Sequence, residues 1–466
     1  MTLFLEKKIA FYFLLALNIA VSLAVFNIAK DLSFPDSKGY LLMGESILHG
    51  KFSSWHFLPK YYPETLRTPG YPAFIALLHL VSSSELLIKI VQFLLYFGCV
   101  FFCIQIIRKY YPQLIYTNVF LLLLIPNIQV VYYSGYISSE ILNTFFVILS
   151  MYLFTRKRSY GQVIFLAITC YCAFIVRPSF LIFPFLMVAY SIFIAREEYK
   201  LHTTFITLFV ILLIPFGVWN KVNHGIFKIT PLEGGAGVMH IGFWAYKLPA
   251  GYTEPFYWGN STGYDLTQPK FYSVSEQKEN QKKYEKECTA LWSKLDVYET
   301  PEDTFYLSYM KNNNPGIFPL HNSRYTIERE KLLNRVTVSN VMNEPFYTFK
   351  CKLYQIVRFY VTGINFNDWN KAESFASKLK CIYPTLITLF SIFSGLLFIT
   401  FYSFFNKIFR KHFVPFIMLF WYYGIIHLPF ATQARFTIPT HLLIIAILAI
   451  ALVEVSNKKL PTEANR

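Results

Sequence analysis

LRTPGYP, residues 66–72, runs directly into the apolar stretch AFIALLHLV at 73–81. Whether that apolar stretch crosses a membrane decides the topology of everything after it. Pro69 and Pro72 bar regular helix through the turn. Gly70 permits close backbone approach, and Arg67 sets a permanent charge beside apolar sequence. Residues 71–83 are too short to span comfortably, because a helix needs roughly 20 apolar residues to cross a hydrocarbon core. They are expected to form an interfacial or re-entrant helix, with irregular backbone tolerated only where protein buries it or it lines a cavity.

Composition makes the membrane setting plain. The 466 residues are 55% hydrophobic and only 15% charged, with 48 Phe and 34 Tyr. A soluble protein is nearer a quarter charged. The net charge of +16 would suggest nucleic acid in a soluble chain. Here the cations sit at the ends of apolar runs: Lys7-Lys8, Arg108-Lys109, Arg156-Lys157-Arg158, Lys407 with Arg410-Lys411, and Lys458-Lys459. That is the pattern of cytoplasmic loops, and it argues against nucleic acid as a partner. The seven cysteines show no C-x-x-C pair and no metal spacing, so they imply neither a disulfide framework nor a zinc site.

Apolar runs give candidate spans at 9–29, 86–107, 114–131, 140–155, 162–176, 179–195, 203–219, 382–405, 413–430 and 436–454. The first is long for a signal-peptide core and reads as uncleaved. With the basic loops inside, 30–85, YYSGYISSE (132–140), VRPS (176–179), 220–381 and ATQAR (431–435) lie outside. A span at 71–83 would put Arg108-Lys109 on the wrong side. The expected organisation is a membrane module over 1–219 with its first outer loop at 30–85, an extracytoplasmic region at 220–381, closing spans over 382–454 and a cytoplasmic tail at 455–466, of which SNKKLPTEANR (456–466) reads as disordered. Within the extracytoplasmic region, 346–362 reads as an amphipathic helix lying on the membrane surface.

This topology gathers ionisable residues on one face. Asp36, Glu64 and Arg67 come from the first outer loop, Glu140 from the second, Arg177 from the third and Arg435 from the last. Charge so close to hydrocarbon is costly and usually faces a cavity or a partner. Arginines bind phosphate with a planar fork, and a carboxylate can act as general base toward a hydroxyl. Simpler roles stand beside these: Asp36 as a helix N-cap, Glu140 as a charge at a helix N-terminus, and the arginines as snorkelling side chains. His224, His240 and His427 are isolated and are not expected to bind a ligand.

Several stretches then fit one pattern in chain order: PDSKGYLLMGESILHGKF (35–52), ETLRTPGYPAFIALL (64–78), IPNIQVVYYSGYISSEIL (125–142), FIVRPSFLIFP (174–184) and QARFTIP (433–439). In this the chain resembles the GT-C fold glycosyltransferases that use polyprenyl-phosphate sugars, the group of the protein O-mannosyltransferases and lipid A aminoarabinose transferases (glycosyltransferase family 39). The resemblance covers about 1–240 and 380–455. It weakens at PFGVWNKVNHG (215–225), where Trp219-Asn220 replaces the family's Arg-Asn, and at LEGGAGVMHIG (232–242), which lacks the family's Asn.

The resemblance implies an all-α polytopic GT-C bundle of about ten spans in a bacterial inner membrane, with its active site on the periplasmic or external face. It implies Asp36 as the catalytic carboxylate, with Glu140 and Glu64 completing an acidic cluster. Arg67, Arg177, Arg435 and Tyr71 would bind the lipid phosphate of the donor. It allows a divalent metal at Asp36 and Glu140. The implied reaction is inverting sugar transfer from a polyprenyl phosphate to a glycan, lipid or protein acceptor. A flippase of lipid-linked sugars and a non-catalytic glycan-binding membrane protein are the competing readings.

Overall fold

The computed structural model of the chain describes residues 2–32, 34–194, 198–249, 252, 266, 267, 269, 271–313, 317, 319–431 and 433–459. The first half contains α1 (Lys8–Ala29), α2 (Ser37–Leu48), α3 (Gly70–His79), α4 (Glu85–Tyr110), α5 (Leu114–Leu124), α6 (Gln129–Ser134), α7 (Glu140–Phe154), α8 (Tyr160–Val176), α9 (Phe183–Ile194) and α10 (Tyr199–His224). An extramembrane set follows: α11 (Ala236–Trp244), α12 (Val274–Ser293), α13 (Pro301–Asn313), α14 (Ser323–Asn343) and α15 (Pro345–Tyr360). The chain closes with α16 (Phe375–Phe405), α17 (Lys407–Ile426) and α18 (Ile438–Lys459).

This is a helical membrane protein. Among the described residues, five helical segments are long and apolar enough to cross a bilayer: α1, α4, α10, α16 and the segment Ala434–Asn457 that contains most of α18. Their outer faces leave Ile9, Phe13, Ile28, Ile211 and Phe401 exposed, which hydrocarbon tolerates and water does not. The last segment is different: 89% of its apolar window is buried. It is the central post of the bundle, and Arg435 stands at its start.

Other expected spans appear in altered form. The run 114–131 is not one helix. It breaks after Leu124 because Pro126 withholds an N–H and disfavours helix in the residue before it, and α6 resumes at Gln129. The run 179–195 opens with a short 3-10 turn at Pro178–Phe180 before α9. The last-but-one helix begins at Lys407 rather than 413, because the Asn406 side chain caps it by accepting the Phe409 N–H at 3.1 Å. Of residues 71–83 only those up to His79 are helical, in the ten-residue α3 that is too short to cross; it starts at Gly70, so Pro72 falls inside its first turn, where a proline is tolerated, and does not bar helix there. At the C-terminus α18 continues to Lys459, so the first residues of the expected disordered tail are helical; 460–466 lie outside the described residues.

Side-chain contacts sort the helix ends into two sets. At one end Tyr110 meets His412 at 4.8 Å, Tyr190 donates to the Lys411 carbonyl at 3.3 Å, Tyr116 donates to Glu454 at 2.6 Å and Arg158 pairs with Glu198 at 2.8 Å. All these lie in or beside the helix ends that carry the basic clusters. At the opposite end Lys89 donates to the Lys30 carbonyl at 2.6 Å, Gln129 to Thr362 at 2.7 Å, and Tyr383 to the Pro126 carbonyl at 2.5 Å. The extramembrane helices and the acidic residues singled out above lie at this second end.

Candidate active site

The site is assembled from the ends of helices. Asp36 precedes α2, Arg67 lies in the turn before α3, Glu140 opens α7, Arg177 follows α8, and Arg435 precedes α18. These five side chains form one alternating chain of charges. Arg67 donates to Asp36 Oδ1 at 2.9 Å, and Arg435 donates to Asp36 Oδ2 at 3.2 Å. Arg435 also lies 3.7 Å from Glu140 Oε1, and Arg177 donates to the same oxygen at 3.0 Å. Arg435 is therefore the bridge between the two carboxylates. Three guanidiniums against two carboxylates leave one positive charge over.

This geometry removes the simpler role for Asp36. It sits at the N-cap position of α2, yet its side chain makes no capping bond. Both its oxygens face arginines instead. Burial alone would raise its pKa, but Arg67 and Arg435 outweigh that and hold the carboxyl below its ordinary value. Glu140 is 1% exposed, while Arg67, Asp36, Arg177 and Arg435 are between 11% and 22% exposed. The chain thus has a buried floor and a face that a ligand can reach.

Aromatic rings support the cations. The Arg67 guanidinium lies 5.0 Å from the Tyr40 ring, Arg435 4.9 Å from Phe34, and Arg177 5.8 Å from Phe436. Such contacts fix a guanidinium in place without neutralising it.

LRTPGYP is held at this spot by close packing. A Cβ on Gly70 would stand 2.4 Å from the Ile175 carbonyl oxygen. Only glycine lets the turn lie against the last residues of α8, immediately before Arg177. Thr68 donates to the Val176 carbonyl at 3.4 Å. Gly44 does the same for the α2–α3 contact, where a Cβ would meet Ile75 at 2.6 Å.

Glu64 and Tyr71 are placed differently from the other expected site residues. Glu64 is buried beneath the turn, not in the ion-pair chain. Its Oε1 accepts the N–H groups of Leu66 and Arg67 at 3.1 and 3.2 Å, and its Oε2 accepts from Ser54 at 2.9 Å. It shapes the turn that presents Arg67. Tyr71 is fully buried, donates to Gln92 at 2.6 Å and packs edge-on against Tyr40 at 4.8 Å. It joins α3 to α4, and Tyr40 lies between it and Arg67.

The extramembrane helices grip the same loops. Glu233, in LEGGAG, donates its N–H to the Thr65 carbonyl at 3.0 Å, and its carboxylate meets Thr65 and Arg329. Asp303 of α13 accepts from Tyr62 at 2.7 Å, pairs with Lys60, and is also bonded by Thr300 and Asn322. A Cβ on Gly242 would stand 2.7 Å from the Phe430 carbonyl carbon, so α11 lies directly on the loop that leads to Arg435. Glu233 carries no local sequence signal, and the Thr300-x-x-Asp303 spacing signals only a helix cap; their partners in the first outer loop lie 168 and 241 residues away.

His224, His240 and His427 all bond within the protein, to Ser323, Glu287 and the Tyr423 carbonyl respectively. Asp36 and Glu140, the carboxylates at which the resemblance allows a divalent metal, both face arginines. The two carboxylates are already shared among three guanidiniums, and among the described residues no group of three or more His, Cys, Asp or Glu side chains converges. No family model, curated protein or solved structure matches this chain.

Proposed function

We propose that this protein is an inverting membrane glycosyltransferase of the GT-C kind, in a bacterial inner membrane. It transfers a sugar from a polyprenyl phosphate to an acceptor hydroxyl on the extracytoplasmic face. The observation that carries the reading is the alternating chain Arg67–Asp36–Arg435–Glu140–Arg177 at the bundle end opposite the basic loops. By the positive-inside rule that end faces outward, and α5 continued past the Pro126 break by α6, together with α7, α8, α9 and α17, completes about ten crossings.

The chemistry follows from the charges. A phosphate monoester or diester entering the site meets guanidiniums that can hold it with paired hydrogen bonds. It competes with Asp36 for Arg67 and Arg435. As their grip on Asp36 loosens, the carboxylate becomes a stronger base. An acceptor hydroxyl then gives its proton to Asp36 while its oxygen bonds to the anomeric carbon. The bond from that carbon to the phosphate oxygen breaks, and polyprenyl phosphate leaves as an anion stabilised by the arginines. One base and no second nucleophile give inversion. Glu140 orients Arg177 and Arg435 from beneath.

The test is donor-dependent sugar transfer in membranes holding wild type or Asp36→Asn. Loss of transfer with normal protein level supports the reading. Leaflet-to-leaflet movement of unaltered lipid-linked sugar, retained in the variant, would instead indicate a flippase.

A further inference from the structure

The three residues immediately before Arg67 are each held from the 220–381 region. The Glu64 carbonyl accepts from His224 Nε2 at 3.2 Å. The Thr65 carbonyl accepts the Glu233 N–H at 3.0 Å, and the Thr65 hydroxyl meets the Glu233 carboxylate. Leu66 packs on Gly234, where an added Cβ would stand 3.0 Å from Leu66 Cδ1.

These holds lead back to one helix. His224 Nδ1 lies 2.8 Å from the hydroxyl of Ser323, the first residue of α14. A carbonyl only accepts, so Nε2 carries the hydrogen that reaches Glu64, and Ser323 fixes the ring from its other side. Glu233 pairs with Arg329, further along α14. The next residue, Glu330, accepts the Ala236 N–H at 3.0 Å and so pins the same LEGGAG loop. Glu233 and Arg329 are only 7% and 12% exposed. Desolvation offsets much of the attraction in such a pair, so stability alone is a weak account of it. Its direction is the informative part: it aims Glu233 at Thr65, two residues before the guanidinium that holds Asp36.

We propose that Glu233 and His224 are positioning residues that set Arg67 through residues 64–66, with α14 as the splint that orients both. The extramembrane helices are then part of what presents this cation, and a shift of α14 moves Arg67 relative to Asp36. The inference rests on the reaction proposed above only in the second of its two measurements.

The first is hydrogen exchange over the amides of 64–68, on the full-length protein in lipid nanodiscs. The Leu66 and Arg67 N–H groups, which bond Glu64 Oε1, should exchange about tenfold faster in His224→Phe and in Glu233→Gln. Glu287→Gln is the control. It disturbs the bonds to His240, Trp244 and Asn340 elsewhere on the extramembrane helices and should leave 64–68 as in wild type. Unchanged exchange in both variants would overturn the positioning role. Equal acceleration in Glu287→Gln would overturn it too, since the loosening would then be general.

The second is sugar transfer. Each variant should lower kcat/KM about tenfold, and neither should lower it further in an Arg67→Gln background, because a residue that acts through Arg67 has nothing left to set there. Losses that multiply would overturn action through Arg67. Absence of transfer in wild type, with the exchange changes intact, would sink the glycosyl-transfer reading and leave the splint standing.

Discussion

Arg435 and Asp36 are 399 residues apart in the chain and meet at 3.2 Å. Arg435 also reaches Glu140 at 3.7 Å, so it is the member whose loss splits the chain of charges in two.

Arg435→Gln is therefore expected to lower transfer by about a hundredfold or more, the scale on which a positioned cation acts on a developing anion. Arg435→Lys should recover only part, since an ammonium cannot fork between two carboxylates. The pH profile carries a further sign. Arg435 helps hold the Asp36 carboxyl below its ordinary value. Removing it lets burial push the pKa up, so the acidic limb of kcat/KM against pH should move to higher pH in Arg435→Gln.

Glu64→Gln separates a shaping role from a catalytic one. The carboxylate closes the turn by accepting two backbone N–H groups and Ser54. Substitution should cost about 1–3 kcal/mol of stability and loosen Arg67. Transfer should fall severalfold and not vanish. Activity as low as that of Asp36→Asn, at equal folded protein, would put Glu64 among the reacting groups.

Gly70→Ala is expected to prevent folded accumulation or strip activity, because its Cβ would meet the Ile175 carbonyl oxygen at 2.4 Å and backbone cannot step aside. Gly161→Ala is the control, as nothing lies within 4 Å of the added carbon. Fluorescence-detected size exclusion of the solubilised variants measures both.

Acid should loosen the first outer loop from the extramembrane helices through Asp303. Burial would raise this carboxyl, but Lys60, Tyr62 and Thr300 outweigh it and the pKa is lowered. A depressed carboxyl contributes stability above its unfolded value, about 3.9, and that contribution is lost as pH falls through the lower folded value. Melting of the solubilised protein should thus show an acid-dependent loss below about pH 4, absent in Asp303→Asn, which should already melt lower at neutral pH.

Much of this site was legible because its residues mark the ends of apolar runs. Asp36, Arg67, Glu140, Arg177 and Arg435 each sit at a helix boundary that hydropathy and basic loops locate, and alternation alone sends them to one side. Gly70 was legible too, since a glycine between two prolines has few other uses. What was not legible depends on partners far along the chain. The gripping contacts of Glu233 and Asp303, the ring beneath each arginine, and the turn-shaping role of Glu64 have no periodicity to reveal them. The break at Pro126 carried a sequence signal, but the apolar run on both sides of it reads as continuous.

The most direct measurement is sugar transfer by Asp36→Asn in membranes supplied with a polyprenyl-phosphate sugar donor and the cell's own acceptors. Asparagine keeps the shape and removes the base and the charge. Transfer is expected to be lost while the folded protein persists. Full transfer by Asp36→Asn would rule out Asp36 as the base.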